Sequence, residues 1–244
     1  MNRGILYHST DNKLRRMSLF VWFSQFHHFR LRQALYPLLL ASLLACSLLA
    51  GRVYLSGSWT YLFLVWNLFL AWLPYLGSLW ATYLYQRQPR RWWSLLLPSL
   101  LWLIFFPNAP YLVTDLLHLQ SRAPLPIWYD LGLLSAFAWA GLFLGIFSLR
   151  AMQMLVKTLA GSIASWLFVA SVVGLSGLGI YLGRFLDWNS WDLFFHPYSV
   201  LTDVAIRLAH PLSHLQTFGV TFLFAAFLLV CYLTITVGTL PEQS

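Results

Sequence analysis

Four polar residues that follow a proline pair have the types and the spacing of a reactive or metal-binding group. Downstream of Phe106-Pro107-Asn108-Ala109-Pro110-Tyr111, the sequence places Thr114, Asp115, His118 and Arg122 three or four positions apart. If the chain resumes a helix after the prolines, these side chains share one narrow stripe. A carboxylate beside an imidazole orients the histidine for general acid or base catalysis, or supplies two metal ligands. A salt-bridged stripe at a membrane surface fits the same residues.

A second polar segment, Gly183-Arg184-Phe185-Leu186-Asp187-Trp188-Asn189-Ser190-Trp191-Asp192, follows a long apolar run. Its residue types bind phosphates, metals or sugars. Structural alternatives are an ion pair between Arg184 and Asp187, tryptophans in the headgroup belt, and a helix cap. Each alternative explains one or two residues, and none explains their concentration.

Further candidates lie nearby in the predicted topology. His210 and His214 are four residues apart, but Pro211 between them disfavours the regular helix that a shared metal would need. Asp130, in Trp128-Tyr129-Asp130, adds a carboxylate to the same region.

The composition indicates whether the chain folds in water or in a membrane. Hydrophobic residues make up 59% of the chain and charged residues only 9%, and the mean hydropathy is +0.68. Soluble domains carry roughly 25% charged residues, so this is a membrane protein. The net charge of +8 comes from short basic clusters between apolar runs. That distribution favours topology signals over nucleic-acid binding.

Six apolar windows are long enough to cross a bilayer, which needs roughly 20 residues per helix. The fold class is therefore an all-α, polytopic transmembrane helix bundle with six spans. The predicted organisation is an interfacial amphipathic segment (1–32), the transmembrane domain (33–238) with short amphipathic helices in the outer loops, and a tail (239–244). The windows are Gln33–Ala50, Trp59–Leu84, Trp92–Phe106, Trp128–Leu149, Ile163–Leu182 and Leu215–Val237.

The flanking charges predict the orientation. Most of the 15 Lys and Arg residues fall on one side of the spans, which predicts that both termini are cytoplasmic. Outside the tails, the acidic residues and the remaining histidines then gather at the opposite, extracytoplasmic face. None lies near the bilayer midplane, where ionisable groups mark ion pathways, so a transporter is disfavoured.

Glycines at four-residue spacing predict close helix contacts. Gly141 and Gly145 lie in the fourth window, and Gly179 and Gly183 lie in the fifth. Such small-residue faces let backbones approach, so we expect the fourth and fifth spans to pack together.

Four sequence strings occur together in this chain. They are Trp66-Asn67-Leu68-Phe69-Leu70-Ala71-Trp72, Phe106 to Tyr111 with Asp115 and His118, Trp128-Tyr129-Asp130, and Gly179 to Phe185 with Trp188 to Asp192. Together they resemble one bacterial multi-pass membrane family, the domain of unknown function 1361.

The resemblance covers most of the chain from Trp59 onward and implies a protein of the bacterial plasma membrane, without supplying a mechanism. At Asp187 the family pattern leads us to expect a basic residue. The resemblance emphasises Asn67, Asn108, Asp115, His118, Asp130, Arg184, Asn189 and Asp192.

Two classes of function follow from these residues. The first is an enzyme-like extracytoplasmic site acting on a lipid-linked or headgroup-bearing substrate, in which a divalent metal is an option. The second is binding of membrane lipid or a small molecule, or a role in membrane assembly, without chemistry. The predicted catalytic residues are Asp115, His118, Asp130, Arg184 and Asp192, with Asp115, His118 and Asp192 as metal candidates. The predicted substrate-binding residues are Asn67, Asn108, Asn189 and Trp191.

Overall fold

The computed structural model describes residues 34–88, 91–120 and 124–237 of the 244, and in these ranges the chain forms helices and no strand. The predicted interfacial segment 1–32 and the tail 239–244 lie outside them, as does Arg122. The chain divides into two compact units, Met1–Leu40 and Ala41–Ser244. Of the first unit, the described part is the beginning of helix α1, and everything below concerns the second.

The helices follow one another with short connections. The α-helices are α1 (Leu35–Ser56), α2 (Phe63–Arg87), α3 (Leu96–Phe105), α4 (Asn108–Tyr111), α5 (Ile127–Phe185), α6 (Asp192–Phe195), α7 (Pro197–Ala209) and α8 (Leu215–Val237). Three 3₁₀ segments, Trp92–Leu95, Leu112–His118 and Pro211–His214, join or extend them.

Six spans result from five apolar helical segments. Leu35–Ser56, Phe63–Arg87, Trp92–His118, Ile127–Phe185 and Pro211–Thr236 are each long and apolar enough to cross a membrane. The fourth of these five segments is helix α5, which has 59 residues. At about 1.5 Å per residue it would reach about 88 Å, far beyond a hydrocarbon core of about 30 Å. It is divided at Gly161, whose φ of 88° and ψ of 177° are non-helical. The two halves are the fourth and fifth spans, and the prediction of a six-span helical bundle is confirmed.

The connection between the fourth and fifth spans differs from the prediction. The windows leave residues 150–162 as a loop, but helix α5 continues through them and is interrupted only at Gly161. The intervening sequence Ala151-Met152-Gln153-Met154-Leu155 consists of strong helix formers, which explains the continuation. Glycine alone readily adopts the backbone angles found at the reversal.

The third span breaks at its prolines, as predicted. Helix α3 ends at Phe105, and the chain continues through α4 into the 3₁₀ segment. The amide of Ala109 turns to the Phe106 carbonyl at 3.2 Å, so the carbonyl of Phe105 loses its regular helical donor. The side-chain amide of Asn108 donates to that carbonyl at 3.0 Å and replaces the missing bond.

The glycine faces of the fourth and fifth spans contact this broken segment. A Cβ on Gly141 would lie 2.5 Å from the carbonyl oxygen of Ala109, and one on Gly179 would lie 2.8 Å from the ring of Pro107. The close approach predicted from these glycines therefore occurs, but its partner is the turn at Pro107 and not the other glycine face. The broken segment at Pro107 fits between the two spans because the glycines leave room for it.

One apolar core cluster extends from Phe106, next to the break, to Leu95 at the start of the third span. It combines residues of five spans, and Trp102 stacks on Phe168 with ring centroids 5.6 Å apart. Both halves of α5 contribute to it, through Leu149 and Val173 among others. Further buried apolar residues, such as Leu64 and Leu133, lie outside this cluster near the starts of the second and fourth spans.

Candidate functional site

Arg184, at the end of the fifth span, is the centre of a polar cluster. Its Nη2 lies 2.5 Å from Oδ1 of Asp115 and its Nη1 lies 2.7 Å from Nε2 of His118. Its Nε donates to the hydroxyl of Thr114 at 2.9 Å. Because Leu112–His118 is a 3₁₀ segment with about three residues per turn, Asp115 and His118 lie one turn apart, facing the same guanidinium. Thr114, Asp115 and His118 of the predicted polar stripe thus contact Arg184.

Burial strengthens the pairing of Asp115. The residue is fully buried, and the Arg184 side chain is only 12% exposed. The second carboxylate oxygen accepts a hydrogen bond of 3.0 Å from the Asn67 amide of the second span. A buried charge is costly unless it is paired and hydrogen-bonded, and here both oxygens have donors. Asp115, Arg184, His118, Thr114 and Asn67 are called the Arg184 cluster below.

Tyr111 connects this cluster to the broken helix. The guanidinium carbon of Arg184 lies 4.4 Å from the centroid of the Tyr111 ring, within cation–π range. Gly183, next to Arg184 in the chain, also lies against that ring. Every nitrogen of the guanidinium donates to a neighbour, and one of its faces lies against Tyr111.

A cavity of about 140 Å³ lies beside the Arg184 cluster. It is enclosed by the second span, the break in the third, the end of the fifth, and the loop leading to α7. Asn108 donates a 2.8 Å hydrogen bond to Ser190 across it, linking the broken helix to that loop. The lining residues are Trp66, Asn67, Leu70, Ile104, Pro107, Asn108, Tyr111, Gly179, Leu182, Gly183, Trp188, Asn189, Ser190, Leu193 and Val200.

The cavity also reaches the exposed surface of the bundle. Trp66 and Leu193 line it, yet they are 52% and 40% exposed. Helix α7, which contributes the buried Val200 to the lining, exposes Leu201 and Leu208 on another face. It is one of the predicted short amphipathic helices, and such a helix suits a membrane interface.

Asp130 has a partner of its own, Arg52. The Arg52 Nε lies 2.7 Å from Oδ1 of Asp130, and its Nη2 lies 3.1 Å from Oδ2, a two-point contact. Both side chains are buried, and the guanidinium lies 4.6 Å from the ring centroid of Tyr61. These two residues are called the Arg52 pair. The structure therefore gives Asp130 a partner outside the Arg184 cluster.

Tyr61 bridges the two groups. Its ring faces Arg52, and its hydroxyl donates to the backbone carbonyl of His118 at 3.2 Å. Phe63 packs edge-on against the His118 ring, with centroids 5.2 Å apart. Tyr61, between the first and second spans, and Phe63, at the start of the second span, thus both contact His118.

Asp192 and Trp191 have local roles in the loop. An Asp192 carboxylate oxygen accepts the backbone amide of Asn189 at 2.7 Å, and the other lies 3.5 Å from Nδ1 of His196. The ring of Trp191 packs against Trp66, with centroids 6.3 Å apart. Asn67, Asn108 and Asn189 all line the cavity, whereas Trp191 lies behind one of its walls.

The metal candidates come together only in part. Asp115 and His118 share Arg184, while Asp192 contacts the loop. In residues 34–88, 91–120 and 124–237, no three His, Cys, Asp or Glu side chains meet as a metal-holding group.

Sequence reasoning missed Arg52, Tyr61 and the lining role of Trp188. A signal existed for the first: Arg52 is a single charge at the end of an apolar window, and Asp130 is a single acid at the start of another. Charges so placed require a partner.

Six spans, a buried ion-pair cluster and a small cavity at one end define a polytopic helical membrane protein. The chain belongs to the family described as Protein of unknown function (DUF1361), whose model matches residues 66–231. Nothing among the curated proteins or the solved structures matches the chain. The family match includes the Arg184 cluster and every lining residue, but begins after Arg52 and Tyr61.

Proposed function

We propose that this protein binds the headgroup of a membrane lipid or lipid-linked molecule in the cavity beside the Arg184 cluster. The observation that carries the proposal is a mainly apolar cavity with a few polar side chains that opens at the exposed surface of the bundle. Neutral amides, aromatic rings and aliphatic side chains line it, and Trp66 and Leu193 extend from the lining to the outside of the bundle. A headgroup can enter sideways there while its acyl chains stay in the bilayer.

The ion pairs favour binding over chemistry. Asp115 and Asp130 are fully buried and each carboxylate is held by an arginine, so neither is a free base or nucleophile. Arg184 positions Asp115 and, through it, Asn67, which lines the cavity.

The charge distribution of the loops supports an extracytoplasmic position for the cavity in a bacterial plasma membrane, with both termini in the cytoplasm. A cysteine at position 199 tests this orientation, since Ser199 is exposed in the first turn of helix α7, which contributes Val200 to the cavity lining. A membrane-impermeant maleimide added to intact cells should label Ser199→Cys. Labelling only after the cells are permeabilised would reverse the orientation.

Native mass spectrometry of protein released from nanodiscs tests the binding. The nanodiscs contain phosphatidylethanolamine, phosphatidylglycerol and a monoglucosyl diacylglycerol, so that headgroups with and without phosphate are both offered. Asn189 lines the cavity but is exposed, so Asn189→Trp should fill the cavity without disturbing the core. We expect the wild type to retain lipid and Asn189→Trp to lose it. Ser199→Trp is the matched control, because Ser199 is exposed in the first turn of helix α7 and lies outside the lining. Equal retention by all three proteins would refute the proposal.

A second candidate, an enzyme-like site, is favoured by His118. The side chain is exposed, and because arginine has only donors, Nε2 accepts from Arg184 and the ring proton resides on Nδ1. This Nδ1–H group can donate a hydrogen bond to negative charge that develops on a bound headgroup. Chemical change of the retained lipid during incubation, abolished by His118→Ala with retention intact, would establish this function.

A further inference from the structure

The cavity lining discriminates among headgroups, and the argument here rests on the proposed function. Its hydrogen-bonding side chains are neutral: Asn67, Asn108, Asn189 and Ser190. Three aromatic side chains, Trp66, Tyr111 and Trp188, also belong to the lining. No charged residue belongs to the lining within the described part of the chain.

Arg184, the cation that lies against the ring of the lining residue Tyr111, already has partners in this chain. It donates to Asp115, His118 and Thr114. A phosphate group needs cationic or several free amide donors, and Arg184 would have to leave a buried carboxylate to provide them. An anionic group is therefore a poor occupant of this cavity.

One aromatic wall is held in a fixed orientation. The indole nitrogen of Trp188 donates to Asp203 of α7 at 2.8 Å, which fixes the plane of the ring. The electron-rich face of an aromatic ring attracts the weakly positive C–H groups on the face of a sugar ring. Amides beside such a platform donate to and accept from sugar hydroxyls.

The cavity has room for one ring. A volume of about 140 Å³ holds roughly ten water-sized groups at about 10–15 Å³ each. A single sugar ring with its hydroxyls has a comparable number of non-hydrogen atoms.

We infer that the headgroup bound in the cavity is a single uncharged sugar carried by a lipid. The Nδ2 group of Asn108 already donates to Phe105 and Ser190, so its amide oxygen accepts from one sugar hydroxyl, and the amide of Asn189 binds another. Trp188 and Tyr111 contact the faces of the sugar. The glycosyl group occupies the cavity while the lipid chains leave past Trp66 and Leu193.

The test uses the full chain in nanodiscs that contain three lipids with identical acyl chains in equal amounts. These are a monoglucosyl diacylglycerol, phosphatidylglycerol and phosphatidylcholine, and native mass spectrometry measures which of them the protein retains. We expect the glycolipid to be enriched about tenfold over its bulk share, which corresponds to about 1.4 kcal/mol. Asn189→Leu and Asn108→Leu should return the ratio toward the bulk value, and the exposed Ser199→Leu should not.

The other outcomes each overturn the inference. Enrichment of phosphatidylglycerol would indicate an anion site, and enrichment of phosphatidylcholine would indicate an aromatic cage for a quaternary ammonium group. Retention in the bulk ratio would indicate binding without headgroup selection. In all three cases Asn189→Trp still abolishes retention, so the proposed function survives. If Asn189→Trp retains lipid like the wild type, the proposed function fails with the inference.

Discussion

Two buried arginine–aspartate pairs lie at the same end of the described bundle, and they differ in what surrounds them. In the Arg52 pair both side chains are buried, the guanidinium contacts both carboxylate oxygens, and Tyr61 and Ser56 also contact it. In the Arg184 cluster the guanidinium is shared among three side chains beside a cavity. The first pair joins two spans, whereas the second also positions Asn67, which lines the cavity. The same type of ion pair thus stabilises the fold in one place and, in our proposal, supports a binding cavity in the other.

Removing one member of the Arg52 pair should have the largest effect on stability. Asp130→Ala leaves a buried guanidinium without its counter-ion, and breaking such a pair costs roughly 3–5 kcal/mol of unfolding free energy. Thermal unfolding in detergent measures the loss. The double variant Arg52→Met with Asp130→Leu should recover most of it, because an apolar pair needs no counter-ion. A cost below about 1 kcal/mol for Asp130→Ala would show that the pair does not stabilise the fold.

Asp115→Asn should cost less stability but should impair binding. The substitution keeps the shape and removes the charge, so Arg184 and Asn67 lose a charged acceptor, at roughly 2–3 kcal/mol. Because Asn67 lines the cavity, we also expect retained lipid to fall. Asp130→Asn is the control, since it removes a paired carboxylate away from the lining. If both variants retain lipid equally, the distinction between the two pairs is wrong.

Gly179→Ala separates the cavity wall from the rest of its helix. The added Cβ would lie 2.8 Å from the rigid Pro107 ring, and we expect overpacking to cost roughly 1–2 kcal/mol and to distort the cavity. Gly174 lies in the same span with nothing within 4 Å of an added Cβ. Gly174→Ala should therefore be neutral in thermal unfolding and in lipid retention. A similar loss in both variants would point to a helix-wide effect.

His118→Ala should have the smallest effect on stability, less than about 1 kcal/mol, because the side chain is exposed. Tyr61 contacts the backbone of His118, so the bridge between the two groups remains. Calorimetric or thermal unfolding of the variant beside the wild type measures the difference. A loss as large as that of Asp130→Ala would make the imidazole part of the structural framework.

The sequence predicted much of this fold because its main signals are local. Span length, the proline break and the stripe of Thr114, Asp115 and His118 depend on hydropathy and helical spacing. Arg184 was predicted as a site residue because polar groups concentrate after the fifth span. Arg184 lies with Thr114, Asp115 and His118, whereas Asp130 and Asp192 have other partners. The catalytic roles of these residues stay predictions.

The contacts between distant segments were beyond local signals. Nothing near Asp130 in the sequence names Arg52 as its partner, 78 positions away, so Asp130 was grouped with Asp115 by topology alone. The glycine faces indicated close approach but not toward which surface, and the broken turn at Pro107 proved to be that surface. The cavity likewise depends on how the loop at Ser190 folds over Asn108.

The reversal at Gly161 has a consequence for the synthesis of the protein. Only Gly161 interrupts the helix between the fourth and fifth spans, and the residues flanking it, such as Leu159 and Ile163, are apolar and exposed. No flexible loop joins the two halves, so neither half can move far from the other while it is translated. We therefore expect the insertion machinery to receive the two spans as one helical hairpin.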